Sequence, residues 1–146
     1  MFDIGKTILV VEDNPADVFA TQRGLRKAGL ANEIVHCDNG ESALDYLRGQ
    51  GQWKDKGHGP AGVILMDINL PGMSGTEVLR EVKNDESLRR IPVIMLTTSN
   101  DQRDIDLAYS NGANSYVQKP VDLDGFMKAL QRLKDYWFEL VILPKV

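Results

Sequence analysis

Four apolar residues, Val63-Ile64-Leu65-Met66, run without a polar break into Asp67, and Pro71-Gly72 turns the chain soon afterwards. A strand with one face in water alternates apolar and polar residues, so an unbroken run bounded by a turn predicts a strand covered on both faces, as in a parallel sheet. Such a strand delivers its terminal carboxylate to the C-terminal edge of the sheet. Open α/β sheets hold their ligands at that edge.

Related signals lie on either side. Ile8 to Val11 ends in Glu12-Asp13, Asn14-Pro15 supplies a cap and a first helical residue, and the helix that follows is expected to reach Gly29 with Val18, Leu25 and Ala28 inward. Glu33 to Asp38 reads as a strand, and Asn39-Gly40 turns it into a helix with Ala43, Leu44 and Leu47 on one side, stopping near Gly49. From Gly49 to Gly62 glycine and charge surround Trp53, the pattern of a surface loop. Ser74 and Glu77 have capping-box spacing ahead of an apolar stripe, Val78, Leu79 and Val82.

Pro92 opens the run Val93 to Leu96, which ends in Thr97, and Ser99 is read as the cap of a weakly patterned helix from Asp101 to Asn111. Ser115 to Gln118 forms a short strand before Lys119-Pro120. The last helix is the most regular, with Leu123, Phe126, Met127, Leu130, Leu133 and Trp137 at three- and four-residue steps. Strands alternating with helices in this way predict an α/β fold, a parallel sheet with helices on both faces. The 146 residues make one ordinary domain, 1–146, in which 136–146 is an apolar C-terminal extension of the last helix.

A formal charge of −4 offers no basic footprint for nucleic acid or an anionic membrane. The lone Cys37 cannot form an internal disulfide, and no apolar run is long enough to span a bilayer, so a cytoplasmic protein is expected.

In a parallel sheet Glu12, Asp13, Asp67, Thr97 and Lys119 all stand at strand ends on one edge. Charges about 4 Å apart interact by roughly 4 kcal/mol at an effective dielectric near 20, so clustered carboxylates call for a cation. Oxygen donors without a nitrogen or sulfur cluster suit Mg²⁺, with Asp13 and Asp67 as the expected ligands. Asp67 then becomes a nucleophile toward a phosphoryl group, Lys119 a partner for the phosphoryl oxygens, and Thr97 a hydrogen-bond donor to one of them.

Glu12-Asp13, Met66-Asp67-Ile68-Asn69-Leu70-Pro71-Gly72-Met73-Ser74-Gly75, Leu96-Thr97 and Lys119-Pro120 together resemble the receiver domain of two-component response regulators. The resemblance implies a flavodoxin-like five-stranded parallel sheet of order 2-1-3-4-5 with five helices. It also implies phosphorylation of Asp67 by a sensor histidine kinase. Mg²⁺ is then held by Asp13, Asp67 and the backbone carbonyl of Asn69, with Glu12 acting through water. Thr97 moves to the phosphoryl group, Tyr116 swings inward beside it, and a cis peptide precedes Pro120. Arg90-Ile91-Pro92-Val93, Leu96-Thr97-Thr98-Ser99 and the segment from Tyr136 to Pro144 are similar to the stand-alone regulators encoded with phytochrome histidine kinases, which implies a phytochrome-type kinase as partner.

Two other readings stay open. A magnesium-dependent phosphatase with an aspartyl nucleophile usually carries a second acid two residues on, where this chain has Asn69. A constitutive interaction module has no use for the acids, hydroxyl and amine together. A receiver is itself a switch, limited to its own phosphorylation and dephosphorylation. For the tail, folding back on its own domain competes with a surface for a partner or second copy. The surface is the expectation here, with Tyr136, Trp137, Phe138, Leu140 and Ile142 in a homodimer interface.

Overall fold

A computed structural model describes residues 6–54, 61–140, 142 and 144, with the side chain of Leu140 left out. Strands β1 (Thr7–Val11), β2 (Ile34–Cys37), β3 (Ala61–Met66), β4 (Val93–Thr97) and β5 (Ser115–Gln118) alternate with helices α1 (Pro15–Lys27), α2 (Gly40–Arg48), α3 (Gly75–Asn84), α4 (Gln102–Ser110) and α5 (Leu123–Leu133). The strands are parallel and lie in the order β2-β1-β3-β4-β5, as the resemblance implies.

Period-two side-chain alternation sorts the sheet into two cores. Leu9, Val11, Ile64, Met66 and Met95 face α2 and α3, whereas Ile8, Val10, Val63, Leu65, Ile94 and Leu96 face α1 and α5. Every residue of β3 is buried, which explains why its sequence lacks alternation. The strand starts at Ala61, two residues before the apolar run, because small residues pair there with the start of β1.

Helix α1 stops at Gly29, as expected. Ala28 caps it, and the Gly29 and Leu30 amides bond back to the Arg26 and Leu25 carbonyls at 3.0 and 3.1 Å, a reversal that Gly29 permits with φ of 98°. Trp53 anchors its loop as expected: it ends a short 3₁₀ turn and packs edge-on against Tyr46 at 5.1 Å. Residues 55–60 of that loop lie outside the described residues.

The largest departure is at the end of the last helix. The first residue, Leu123, is 62% exposed, against its expected place on the inner stripe. From Lys134 to Leu140 the backbone widens into a π-helix, whose hydrogen bonds span five residues instead of four. The inward position after Leu133 therefore passes to Phe138, five residues on. Leu133 is 5% exposed and Phe138 1%, both in the core shared with α1. Trp137, which the helical period places inward, is half-buried and donates its indole N–H to Ser115 Oγ at 3.2 Å.

The expected role of Phe138 in an interface is thus corrected, since its ring is part of this domain's own core. Tyr136 and Ile142 are exposed, and the Leu140 side chain lies outside the description. Lys6 Nζ reaches the Pro144 carbonyl at 2.8 Å, so the tail returns to the start of β1. Among the described residues every peptide bond is trans, including that before Pro120, against the cis bond implied above.

Emptying a core site of this size typically costs about 3–5 kcal/mol. Phe138→Ala is expected to lose stability in that range, whereas Tyr136→Ala changes it by less than about 1 kcal/mol, as a surface substitution does. Urea unfolding of the two variants checks this, and equal losses would return Phe138 to the surface.

Candidate functional site

The C-terminal ends of the strands are locked to one another by backbone bonds. The Asp67 amide donates to Val11 O at 3.0 Å, Glu12 to Cys37 O at 3.1 Å and Lys119 to Thr97 O at 2.7 Å, which sets Glu12, Asp67, Thr97 and Lys119 side by side. The sequence places the same four residues there. Helix α3 presses on this row from below: a Cβ at Gly75 would lie 2.0 Å from the Asp67 carbonyl oxygen, so only glycine fits.

Lys119 is at the centre. Its buried ammonium donates to Glu12 Oε1, to Asp67 Oδ2 at 3.1 Å and to Asp17 Oδ2 at 3.1 Å. Glu12 Oε2 accepts from the amides of Asp13 and Asn14 at 3.0 and 3.2 Å, and Asp67 Oδ1 accepts from the Asn69 amide at 3.3 Å.

The third acid at the ammonium is Asp17, from the first turn of α1, a contact absent from the sequence reading, whereas Asp13 is exposed and has no side-chain hydrogen bond or ion pair among the described residues. Sequence reasoning missed Asp17 because an acid in a first helical turn is an ordinary partner of the helix dipole. Its contact with Lys119 spans 102 residues and leaves no local pattern. Ser99 does not cap α4. Asp101 does, accepting from the Arg103 amide at 2.9 Å, while Ser99 Oγ donates to Asp104 Oδ2 at 2.5 Å.

Thr97 is fully buried, and the Ser99 amide donates to its Oγ1 at 3.4 Å. Half-buried Tyr116 donates its hydroxyl to the Ser99 carbonyl at 2.9 Å, so the residue named as a switch already faces the loop that carries Thr97. Asn69 stands exposed at the rim.

Burial pushes Glu12 up to about 7, against the hydrogen bond from Lys119 and with the Asp67 charge adding to the rise. Burial acts the same way on Asp67, but the hydrogen bond from Thr97, the Lys119 charge and bonds from Glu12 and Lys119 outweigh it, and its pKa lies below the ordinary carboxylate value. For Lys119 burial acts downward and is overcome by the Glu12 bond and the charges of Asp67 and Glu12, so the ammonium persists. Asp67 is therefore ionised and Lys119 charged, with Glu12 as the group that takes a proton.

That proton bears on the metal. One ammonium facing three carboxylates leaves negative charge uncompensated, and all the donors are oxygens, a set that suits a hard divalent ion. Among the described residues no group of three or more acidic, histidine or cysteine side chains is arranged to hold a metal ion. The donor chemistry itself fits Mg²⁺.

The family model "Response regulator receiver domain" matches residues 8–131. Over 139 residues, 95% of this chain and 93% of the relative, the sequence is 36% identical to the response regulator Rcp1 of Synechocystis sp.. The Mn(2+)-bound form of Rcp1 superposes with a TM-score of 0.89, covering 96% and 99% of the two chains at 36% identity. The phosphorylated cyanobacterial phytochrome response regulator RcpA superposes with a TM-score of 0.90 at 35% identity, over 97% of this chain and 99% of that one. The bacteriophytochrome response regulator AtBRR is 42% identical with a TM-score of 0.75, over 97% and 99%.

Folded Glu12 binds its proton up to about 7 while the unfolded residue releases it near 4.5, so its contribution to stability is complete below 4.5 and is lost as pH rises through about 7. In metal-free protein, wild type is expected to lose stability relative to Glu12→Gln across that window. Denaturant unfolding of both proteins at several pH values checks it, and parallel curves overturn it.

Proposed function

The chain belongs to the response regulator receiver family, and from that premise we propose that Asp67 accepts a phosphoryl group from a sensor histidine kinase and so switches protein contacts. The observation that carries this reading is the ionised Asp67, buried between the Lys119 ammonium and the Thr97 hydroxyl. A carboxylate oxygen of Asp67 attacks phosphorus, forming the acyl phosphate while the bond from phosphorus to the kinase histidine breaks. Lys119, Thr97 and the Asn69 amide already point donors at the Asp67 carboxylate, where the transferred oxygens arrive.

Mg²⁺ would be held by Asp13, Asp67 and the Asn69 carbonyl, with Glu12 through water, and supplies positive charge to the phosphoryl oxygens. Two features support it: the surplus of carboxylates around Lys119, and the Mn(2+)-bound form of the relative Rcp1. After transfer, added charge draws Thr97 toward the phosphoryl group, and the Ser99 amide and Tyr116 hydroxyl carry that movement into the loop before α4. A phytochrome-type kinase is the partner we propose, on the likeness to RcpA and AtBRR. The chain acts as a single receiver unit in the cytoplasm. Among the described residues no helix is long and apolar enough to cross a membrane.

A magnesium-dependent phosphatase is not favoured, because Asn69 offers no carboxyl group to protonate a leaving group. Acetyl phosphate with Mg²⁺ is expected to label wild type and not Asp67→Asn. Equal label on both would sink the assignment, and sustained phosphate release from generic phosphomonoesters would revive the phosphatase.

For the outward-facing tail we propose a second copy of the chain as partner. Leu107 and Tyr109 of α4 are each 50% exposed, and Tyr136 and Ile142 lie open. Val117, Leu133, Tyr136 and Trp137 line an apolar groove on the β5 edge. Sedimentation velocity is expected to show a dimer that Tyr136→Arg weakens. A monomer at high concentration with and without phosphorylation removes the idea.

A further inference from the structure

The Lys119 ammonium has three N–H bonds, and in this structure Glu12, Asp67 and Asp17 accept all three. A phosphoryl oxygen can gain a bond from Lys119 only if one of these is given up. The three acceptors are unequal. Side-chain exposure is 5% for Glu12, 10% for Asp67 and 33% for Asp17, so the Asp17 carboxylate is the one that water can resolvate at least cost. Asp17 also sits in the first turn of α1, where its own amide donates to Asn14 Oδ1 at 3.2 Å and the helix dipole favours a carboxylate whether or not Lys119 is attached. Glu12 is sealed against the sheet, and Asp67, which carries the phosphoryl group itself, stays beside Lys119.

We propose that Asp17 is a positioning residue that holds Lys119 in the unphosphorylated state and exchanges its place on the ammonium for a phosphoryl oxygen. Resting on the receiver reading above, this assigns Asp17 a restraining role: it competes with the phosphoryl group for Lys119. Exchange frees a carboxylate on α1, so that phosphorylation alters the charge presented by that helix as well as the loop before α4.

The test uses beryllofluoride, which caps an aspartate as an acyl-phosphate mimic, with Mg²⁺ and the full chain. Asp17→Asn keeps the shape and removes the competing charge, and it is expected to bind beryllofluoride roughly twofold to fivefold more tightly, the range of a partly exposed ion pair. Asp17→Glu is expected to restore wild-type affinity. A purely structural role would leave one further readout unmoved, the ¹⁵N-edited NMR signal of the Lys119 ammonium. That signal should differ between wild type and Asp17→Asn without beryllofluoride and coincide once it is bound. Unchanged or weaker affinity, or loaded signals that stay as far apart as the free ones, overturns the proposal. If wild type itself fails to bind beryllofluoride, the receiver reading falls and this inference with it. If wild type binds and Asp17→Asn binds equally well, the inference alone falls.

Discussion

A buried ammonium gathered among carboxylates is the interaction on which the upper edge of this molecule depends. Neither Glu12 nor Asp67 could be withdrawn from water without a counter-charge, and Lys119 supplies one from the opposite side of the sheet. The geometry needs no coordinating loop. Backbone bonds at the strand ends, with β3 paired to β4 between them, put the acids and the amine in register, and two cores pack against the faces of those strands. An arrangement that is complete without phosphate can still respond to it, because the ammonium is shared among acceptors of very different exposure.

Much of this architecture was legible in the residues. Unbroken apolar runs ending in Glu12, Asp67 and Thr97 named the strands and their polar ends together, because burial on both faces erases alternation and the first polar residue marks where cover stops. The capping signals at Asn14 and Ser74 worked for an equally local reason, since each side chain accepts from an amide two or three residues on. Where the reading fell short, the cause was not local. Asp17 looks like any first-turn acid until a lysine distant in sequence folds over it. Phe138 and Trp137 exchanged roles because the apolar steps were counted at the α-helical period and the backbone changes its winding at Lys134.

The loop after β4 shows how little machinery a signal needs to leave such a site. Ser99 alone touches Thr97 through its amide, Tyr116 through its carbonyl and Asp104 through its hydroxyl. One residue thus ties the end of β4 to β5 and to the first turn of α4.

The return of the tail to Lys6 has a bearing on how the molecule can be instrumented. The Pro144 carbonyl lies beside the foot of β1, and the five residues of that strand set it roughly 17 Å from the edge that carries Asp67. A fluorophore or fused reporter attached beyond Pro144 would therefore leave the phosphoryl-accepting edge open to a visiting kinase. Because a buried, fully paired sheet lies between them, such a probe would stay silent unless the tail itself changed partners.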